Sequence, residues 1–420
     1  MFLGFPIADR TQGDSQDCQT KTQSQKQKGI ALMVTIIIIA VMMMFASDLI
    51  LNSQVNLETT VKQRDNVRAE YLAKSGFKLA LFLVSIDHGI DLFMSSPQSP
   101  QKKASTDSLS DVWSALNGIP IGGDTAEMIG MLSKTFNLGK VMDSGVIEQL
   151  KLFEGSFTLD VQDENQKINV NYCHLGRCSE VLLMLESLFS CGPEKAFLDS
   201  KKIKPRELAY KIKDYIDSDN RAEGDSGEGD ESDPYGKFKY KSKNAPLDSL
   251  AELRMIDGWD EEVHAVFSPY LTVFPFQQAG TDKYKINLNT ASRALLQCLV
   301  PEAKSSCGEK FAVAINRRNN DSQEIASGNV SQVVRNLLCY SGAASTPQPP
   351  PPGSPPGTPA QTDPNDKTGW FASSSTTFNI SIQASAGDRD RVLSAVIERT
   401  VPDAKKGIKG TYRVLSWKLL

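Results

Sequence analysis

One uncharged apolar segment near the N-terminus constrains this chain more than any other feature of its sequence. Residues 29–47 carry no charged side chain, and about 20 apolar residues in a helix suffice to cross the hydrocarbon core of a bilayer. No comparable stretch occurs elsewhere in the 420 residues, so we expect a single membrane span. Lysines precede the span and Asp48 lies near its end. The positive-inside rule therefore predicts a cytoplasmic N-terminus, with the bulk of the chain on the other side.

The composition excludes several classes of protein. Charged residues make up 23% of the chain, hydrophobic residues 40%, and the formal net charge is −4. These values exclude a disordered chain and a bundle of membrane helices, and they argue against a general nucleic-acid binder, which is usually basic. None of the G-x-S-x-G, P-loop, H-E-x-x-H or paired C-x-x-C patterns occurs. We therefore expect no enzyme.

The junction before the apolar segment has a pattern of its own. A polar, basic leader ends in Gly29 and the apolar helix begins at Ile30, in the string QKQKG-IALMV. This resembles the class III leader of type IV pilins and type II secretion pseudopilins. The resemblance implies that a prepilin peptidase cuts between Gly29 and Ile30 and methylates the new N-terminus. A plain signal anchor and an ordinary coiled-coil stalk are the alternatives.

The fifth position after the expected cut departs from that family. Most members carry a glutamate there, whereas this chain has Val34. In the filament that glutamate is thought to meet the N-terminal amine of a neighbouring subunit. A subunit without the carboxylate cannot pair with a subunit ahead of it, so the resemblance implies a position at the filament tip.

After the span, the spacing of apolar residues predicts one helix from about Ile30 to Ile86, with Gly89 as its stop.

Apolar and polar residues alternate twice over residues 156–171, on either side of the polar string DENQ, which predicts a β-hairpin. Residues 346–364 contain nine prolines and form a linker or an exposed loop. The alternating residues after it predict C-terminal strands, which we expect to join the hairpin in one antiparallel sheet.

Between Cys178 and about residue 341 the pattern is helical. Two segments, one around Gly258 and one over 285–318, are similar to helix-hairpin-helix units. DNA-binding versions place glycine-rich amides against phosphates, whereas the string IDGWDEE places carboxylates there. We therefore interpret both units as structural. The predicted helices are Ser179–Phe189, Pro205–Ile216, Leu247–Met255, Glu261–Tyr270, Ser292–Leu299, Lys310–Arg317 and Val330–Cys339.

Segments spread over nearly the whole chain resemble, in their order, the general secretion pathway protein K family. They are QKQKGIALMV, KINVN, LAYKIKDYIDSDNRAEGD, PLDSLAELRMIDGW, SPYLTVFP, KINLNTAS and the terminal VLSWKL. The resemblance implies an α+β fold. A pilin-like long N-terminal helix, transmembrane in its first part, packs on an antiparallel sheet that carries a large inserted α-helical domain with helix-hairpin-helix or SAM-like units. Residues 96–150, the proline-rich stretch and the extra cysteines depart from the family pattern.

The same resemblance implies a domain organisation. We expect a leader (1–29), the transmembrane part of the helix (30–51), its periplasmic part (52–90), a first part of the head (91–171), the inserted helical domain (172–345), a proline-rich linker (346–368) and the C-terminal strands of the head (369–420).

The implied function is that of a minor pseudopilin of a type II protein secretion system. It would sit in the inner membrane with its head in the periplasm, cap the pseudopilus tip and start assembly with the I- and J-type minor pseudopilins. The major pseudopilin and the prepilin peptidase are the other implied partners, and nucleic acid is not one. Two alternatives stay open: a minor pilin of a type IV pilus, and a membrane-anchored helix-hairpin-helix DNA-binding protein of the competence type.

Residues 214–235 form an acidic loop with nine carboxylates, opposed only by Arg221. Such density is repulsive unless the charges are solvated or neutralised. Calcium takes hard oxygen ligands on glycine-containing loops, but no regular EF-hand frame fits, and a solvated loop is the alternative. Members of the K family bind calcium, and the resemblance therefore implies a calcium site. The expected ligands are Asp217, Asp219, Glu223 and Asp225, while residues 228–233 are expected to be solvated.

The chain has seven cysteines, an odd number. Cleavage after Gly29 would remove Cys18 and leave six in the α-rich block, on the oxidising side of the membrane. Six cysteines allow fifteen pairings. We expect a Cys298–Cys307 disulfide and one bridge among Cys173, Cys178 and Cys191.

Overall fold

The computed structural model describes residues 20–95, 106–109, 111–122, 154–175, 178–224, 229–238, 240–276, 284–300, 312–318, 325, 330–337, 367–400 and 411–420. The chain divides into two compact units, Met1–Asp65 and Asn66–Leu420. The predicted proline-rich linker lies almost entirely outside the described residues.

The first unit contains the beginning of helix α1 (Thr20–Ser95). The large apolar side chains from Ile30 to Leu51 are exposed, an arrangement that is costly in water and favourable in lipid. Within the described residues, one helix is long and apolar enough to cross a membrane, and it lies in Gly29–Asp87. The helix continues past Gly89, where we predicted its stop, because an interior glycine costs only about 1 kcal/mol.

The second unit contains an antiparallel sheet of five strands in the order β1-β2-β7-β8-β9. Two short parallel pairs, β3 with β4 and β5 with β6, lie outside that sheet. The strands are β1 (Pro120–Gly122), β2 (Ser156–Asp163), β3 (Ile168–Asn169), β4 (Leu271–Thr272), β5 (Ile286–Asn287), β6 (Phe371–Ala372), β7 (Thr377–Ala386), β8 (Arg389–Thr400) and β9 (Thr411–Leu419).

The part of α1 in the second unit packs on one face of this sheet. Its side chains Leu72, Phe77 and Leu83 share a buried apolar core with Phe157 of β2 and with side chains of β7 and β8. At Gly76 an added Cβ would lie 2.7 Å from the side chain of Ile382. Glycine therefore allows the helix to approach the sheet closely. The long helix packed on an antiparallel sheet confirms the expected α+β fold.

The predicted hairpin over 156–171 is wrong. β2 ends at Asp163, whose side chain accepts a hydrogen bond from the N–H of Asn165 and begins a 3-10 turn. Ile168 then pairs in parallel with Leu271, while β2 pairs with β7. Alternation indicates an extended, half-buried strand, but it does not indicate which strand is its neighbour. The C-terminal strands join β2 in one sheet, as expected.

A block of short helices lies between β2 and β7 in the sequence. The helices are α2 (Cys178–Phe189), α3 (Gly192–Ser200), α4 (Pro205–Ile216), α5 (Glu261–Phe267), α6 (Arg293–Leu299), α7 (312–318) and α8 (Val330–Leu337). α3 was not predicted, although Pro193 stands in its first turn. Leu250–Met255 is a 3-10 helix with a capping box from Ser249 and Glu252. The block has an apolar core of its own.

Candidate metal centre

Three acidic side chains meet at the end of helix α4. Asp214 lies in its last turn, Asp217 caps its C-terminus and Glu231 comes from the loop beyond. One carboxylate oxygen from each lies within 4.8 Å of the others. All three side chains are buried. The helix is held here by its apolar face, since Leu208, Ile212 and Ile216 point into the core of the helical block.

The hydrogen bonding of this acidic trio (Asp214, Asp217 and Glu231) is incomplete. Oδ1 of Asp214, Oδ1 of Asp217 and both carboxylate oxygens of Glu231 accept no hydrogen bond from any residue that the structure describes. A buried carboxylate oxygen without a partner costs several kcal/mol unless a proton or a cation satisfies it. The trio therefore offers oxygen atoms that either a proton or a cation could satisfy.

The electrostatics of the trio agree with that interpretation. Burial raises the pKa of Asp214 to about 7. Burial and the adjacent charges of Asp217 and Asp214 raise the pKa of Glu231 to about 8, and burial also raises the pKa of Asp217. Each shift means that burial and mutual repulsion disfavour the charged form of these carboxyl groups, so that a bound proton or a cation is favoured here.

Lys213 partly compensates the negative charge. Its Nζ lies 3.2 Å from Oδ2 of Asp217 and 2.6 Å from Oε2 of Glu223. The N–H of Glu223 donates to Oδ2 of Asp214 at 3.1 Å, which fixes that carboxylate. Asp214 and Glu231 also line a cavity of about 190 Å³. Hard oxygen ligands beside a small cavity suit Ca²⁺, which takes six to eight oxygens from carboxylates, carbonyls and water.

The ligands expected from the sequence are only partly the ones brought together. Asp217 belongs to the trio, but Asp219 is exposed and accepts a hydrogen bond from the N–H of Arg221 at 2.9 Å. Glu223 is engaged by Lys213, and Asp225 lies outside the described residues. Asp214 was missed although its spacing from Asp217 places both on one helical face. Glu231, expected to be solvated, is buried, and no local pattern indicates that.

A second acidic group already holds a cation of the protein. Asp87, Asp107 and Asp111 bring carboxylate oxygens within 4.8 Å of one another. Nη2 of Arg399 lies 2.9 Å from Oδ2 of Asp107, and its Nη1 lies 3.8 Å from Oδ2 of Asp87. The guanidinium thus places a positive charge beside two of these carboxylates.

Comparison with known proteins finds a family match for the region around the acidic trio. Residues 195–276, which contain Asp214, Asp217 and Glu231, match the family model described as type II secretion system (T2SS), protein K. These residues form a T2SS protein K domain. No curated protein matches the sequence significantly.

A solved structure extends the likeness beyond that domain. A chain in the crystal structure of the GspK–GspI–GspJ complex from the type 2 secretion system of enterotoxigenic Escherichia coli matches with a TM-score of 0.51 and 13% identity. The match covers 86% of this chain and 99% of that one. The fold is therefore shared along most of the chain, and together with the family match over residues 195–276 it bears out the resemblance to the K family.

The disulfides of the T2SS protein K domain and its surroundings differ in part from expectation. Cys173 pairs with Cys178, which is a bridge among the three upstream cysteines. Cys191 pairs with Cys298, so the expected Cys298–Cys307 bridge is wrong. Proximity in sequence favoured Cys307, but α2 packs against α6 in the core and brings Cys191 to Cys298. Cys307 lies outside the described residues.

The turn at Gly258 in the T2SS protein K domain carries ion pairs. Gly258 has a φ of +88°, which glycine adopts without strain. Around it, Asp257 pairs with Lys211 at 2.9 Å and Asp260 pairs with Lys201 at 2.6 Å. The carboxylates that we expected at the hairpin are therefore engaged with lysines on neighbouring helices and contribute to packing.

The residues of the leader junction lie on α1. Gly29, Ile30 and Val34 are all exposed within the first unit. A Cβ at Gly29 would contact nothing within 4 Å. Cleavage and methylation stay predictions.

Proposed function

We propose that this chain is the K-type minor pseudopilin of a type II secretion system and that its role is structural. The observation that carries the proposal is the T2SS protein K domain inserted between strands of a sheet that packs on a long N-terminal helix. The match of this domain to the protein K family is evidence for a role in a type II secretion system. The apolar first part of the helix is evidence for membrane anchoring. No catalytic step is needed for such a subunit.

The leader pattern supports processing at the membrane. A prepilin peptidase cuts between Gly29 and Ile30 and methylates Ile30, after which the apolar part of α1 holds the subunit in the inner membrane. The head then lies in the periplasm, which agrees with the lysines before the span and with the disulfides of the helical block.

Assembly involves the I- and J-type minor pseudopilins. The solved complex that shares this fold contains GspK, GspI and GspJ by its title, and we extend that set of partners to this chain. The complex caps the tip of the pseudopilus and initiates its growth from the major pseudopilin, which supports export of folded proteins. Val34 places this subunit first, because it has no carboxylate to pair with a subunit ahead of it.

Labelling the head in cells that overproduce pseudopili tests this proposal. We expect label at one end of each filament, and mass spectrometry of the same preparation gives N-methylated Ile30 as the N-terminus. In a Val34→Glu variant, the subunit gains the pairing carboxylate and label also occurs along the shaft.

Three outcomes contradict the proposal in different ways. An intact Met1 terminus excludes a processed pseudopilin, and label along the shaft for the natural chain excludes a tip position. If the Val34→Glu variant stays at the tip, the missing carboxylate does not set the position. Assembly only with the subunits of a type IV pilus would make the chain a minor pilin.

We also propose that the acidic trio binds calcium. The partnerless buried oxygens of Asp214, Asp217 and Glu231 support a cation of hard character. When bound, the ion neutralises the three carboxylates and ties the end of α4 to the loop that contains Glu231. Its role is to hold the T2SS protein K domain in one conformation.

Calorimetric titration of the full chain in detergent with CaCl₂ tests the calcium site. Free calcium at about 100 times its dissociation constant should stabilise the fold by about 2.7 kcal/mol, seen as a raised melting temperature. We expect Glu231→Gln to weaken binding at least about tenfold, because the ion loses a charged ligand.

The Asp219→Asn variant is the matched control, since Asp219 is an exposed carboxylate of the same loop. Its affinity should stay within about threefold of the natural chain. No heat at millimolar calcium contradicts the site itself. A larger loss of calcium affinity for Asp219→Asn than for Glu231→Gln would contradict the acidic trio and favour the ligands expected from the sequence.

A further inference from the structure

The five-stranded sheet has an open edge at β9. This strand pairs with β8 on one side, and no strand that the structure describes lies on its other side. Leu420 exchanges two backbone hydrogen bonds with Val392, at 3.1 and 2.8 Å. Because the direction of the backbone groups alternates along a strand, the N–H and C=O of Leu419 point away from β8. The edge therefore offers backbone donors and acceptors to another extended chain.

Apolar side chains of β9 stay half exposed on the face of the sheet that α1 covers. Trp417 lies opposite Ala395 of β8. Val414 lies opposite Ile397, and both of these β8 residues belong to the core shared with α1. The ring of Trp417 contacts Phe77 of α1 edge-on, with the centroids 4.8 Å apart. Trp417 is nevertheless 44% exposed and Val414 47% exposed. A half-exposed tryptophan beside an open strand edge is typical of the anchor of an interface.

Positive charge lies on the opposite face of the same strand. β9 contains Arg413 and Lys418 and no acidic residue. Arg413 is paired across the strands with Glu398, whose Oε2 accepts from its Nε at 3.0 Å. Lys418 is exposed and lies opposite the uncharged Ser394. The edge thus has an apolar side and a cationic side, separated by the width of the strand.

We propose that β9 is the acceptor for an extended acidic segment of another protein, which adds to the sheet as a further strand. The backbone of that segment pairs with the outward groups of β9. Its apolar side chains pack beside Trp417 and Val414, and its carboxylates meet Lys418. Since successive side chains of a strand project to opposite faces, one segment of alternating apolar and acidic residues satisfies both sides.

The charges favour such a partner over a second copy of this chain. Two β9 strands side by side would bring Arg413 and Lys418 of one copy to the same residues of the other, and facing like charges destabilise a strand pair. The bulge between Val396 and Ile397 also hinders edge-to-edge association of identical sheets. A segment with carboxylates turns the charge of Lys418 into an attraction. This inference does not depend on the proposed place in the pseudopilus.

Binding of a labelled probe peptide to the full chain in neutral detergent tests the proposal. The probe has about eight residues, enough to span β9, in which isoleucine and glutamate alternate. We expect saturable binding by fluorescence anisotropy. Trp417→Ala should weaken it at least about tenfold, because the anchor is lost. Lys418→Glu should weaken it about tenfold, because the carboxylates of the probe then face a like charge.

Two control probes and one control variant separate strand addition from general attraction. A probe with lysine in place of glutamate should not bind, and neither should a probe with the isoleucines and glutamates in two blocks. Lys195→Glu reverses an exposed lysine of α3 in the helical block. It should leave the affinity within about twofold of the natural chain.

A pair of variants at Leu419 tests the backbone contact itself. Leu419→Pro removes the outward N–H, and proline is tolerated in an edge strand where that side faces solvent. Leu419→Ala is the control for the lost side chain. The proline variant should bind the probe about tenfold more weakly than the alanine variant, because a backbone hydrogen bond to the probe is lost.

Several results overturn the proposal. They are the absence of saturable binding at millimolar probe, equal binding of either control probe, and equal affinity of the two Leu419 variants. A dimer in sedimentation that Trp417→Ala dissociates would identify a second copy as the occupant instead. If Trp417→Ala does not fold, Lys418→Glu and the control probes decide.

Discussion

Replacing Arg399 with methionine is expected to lower the free energy of unfolding of the second unit by about 3–5 kcal/mol. The side chain is buried on β8, and its guanidinium carries the charge that faces Asp107 and Asp87. Methionine fills similar space but removes the positive charge that faces these two buried carboxylates. Denaturant unfolding of the full chain in detergent, followed by tryptophan fluorescence, measures the change.

Arg413→Met is the matched control for this prediction. Arg413 lies on the neighbouring strand β9 and pairs with Glu398, but its side chain is 44% exposed. An exposed pair of this kind is worth about 0–1 kcal/mol. Equal losses for the two variants would mean that burial of the charges around Arg399 does not matter, and the interpretation of Arg399 as a buried counterion of Asp107 and Asp87 would then be wrong.

Removing the Cys191–Cys298 disulfide by the double change to serine should cost about 4–5 kcal/mol under oxidising conditions. The bridge closes a loop with a sequence separation of 107 residues, and the entropy that a crosslink removes from the unfolded chain grows with loop length. The Cys173–Cys178 bridge has a separation of 5. Its removal should cost only about 2 kcal/mol. Melting temperatures of the two double variants give the comparison.

Peptide mapping without reduction is the independent control for the pairing. A crosslinked peptide pair containing Cys191 and Cys298 is expected. A pair containing Cys298 and Cys307 would restore the prediction from the sequence and contradict the packing of α2 on α6. Equal destabilisation by the two double variants, with the expected pairing present, would instead contradict the entropic argument.

Local patterns were sufficient for several of the helices. Helix α4 was predicted with its observed bounds, Pro205–Ile216, because a proline in the first turn and an amphipathic spacing are written in adjacent residues. Ser292 was predicted near the start of a helix, and its side chain accepts from the N–H of Leu295. Such signals act within one or two turns, so a single segment contains all of the information.

Long-range partners were not predictable in the same way. The KINVN and KINLN segments look alike, yet Nδ2 of Asn169 donates to the carbonyl of Pro275, whereas Nδ2 of the equivalent Asn287 donates to Asp107, Asp163 and Ser375. The proposed calcium ligands divide similarly. Asp214 and Asp217 lie at the end of one helix, while Glu231 joins them only through the course of the loop.

The sequence by itself determined that this chain has one apolar span, a prepilin-like junction, a helical block between strands and the family to which its central domain belongs. These properties depend on composition, spacing and short motifs, which are local. Only the tertiary structure decided which strand lies beside β2, which cysteine meets Cys298, which three carboxylates form the acidic trio and that Arg399 fills the second acidic group. Those choices depend on packing between segments far apart in the chain, because the free energy of burying a charge or a disulfide is set by all the elements that surround it.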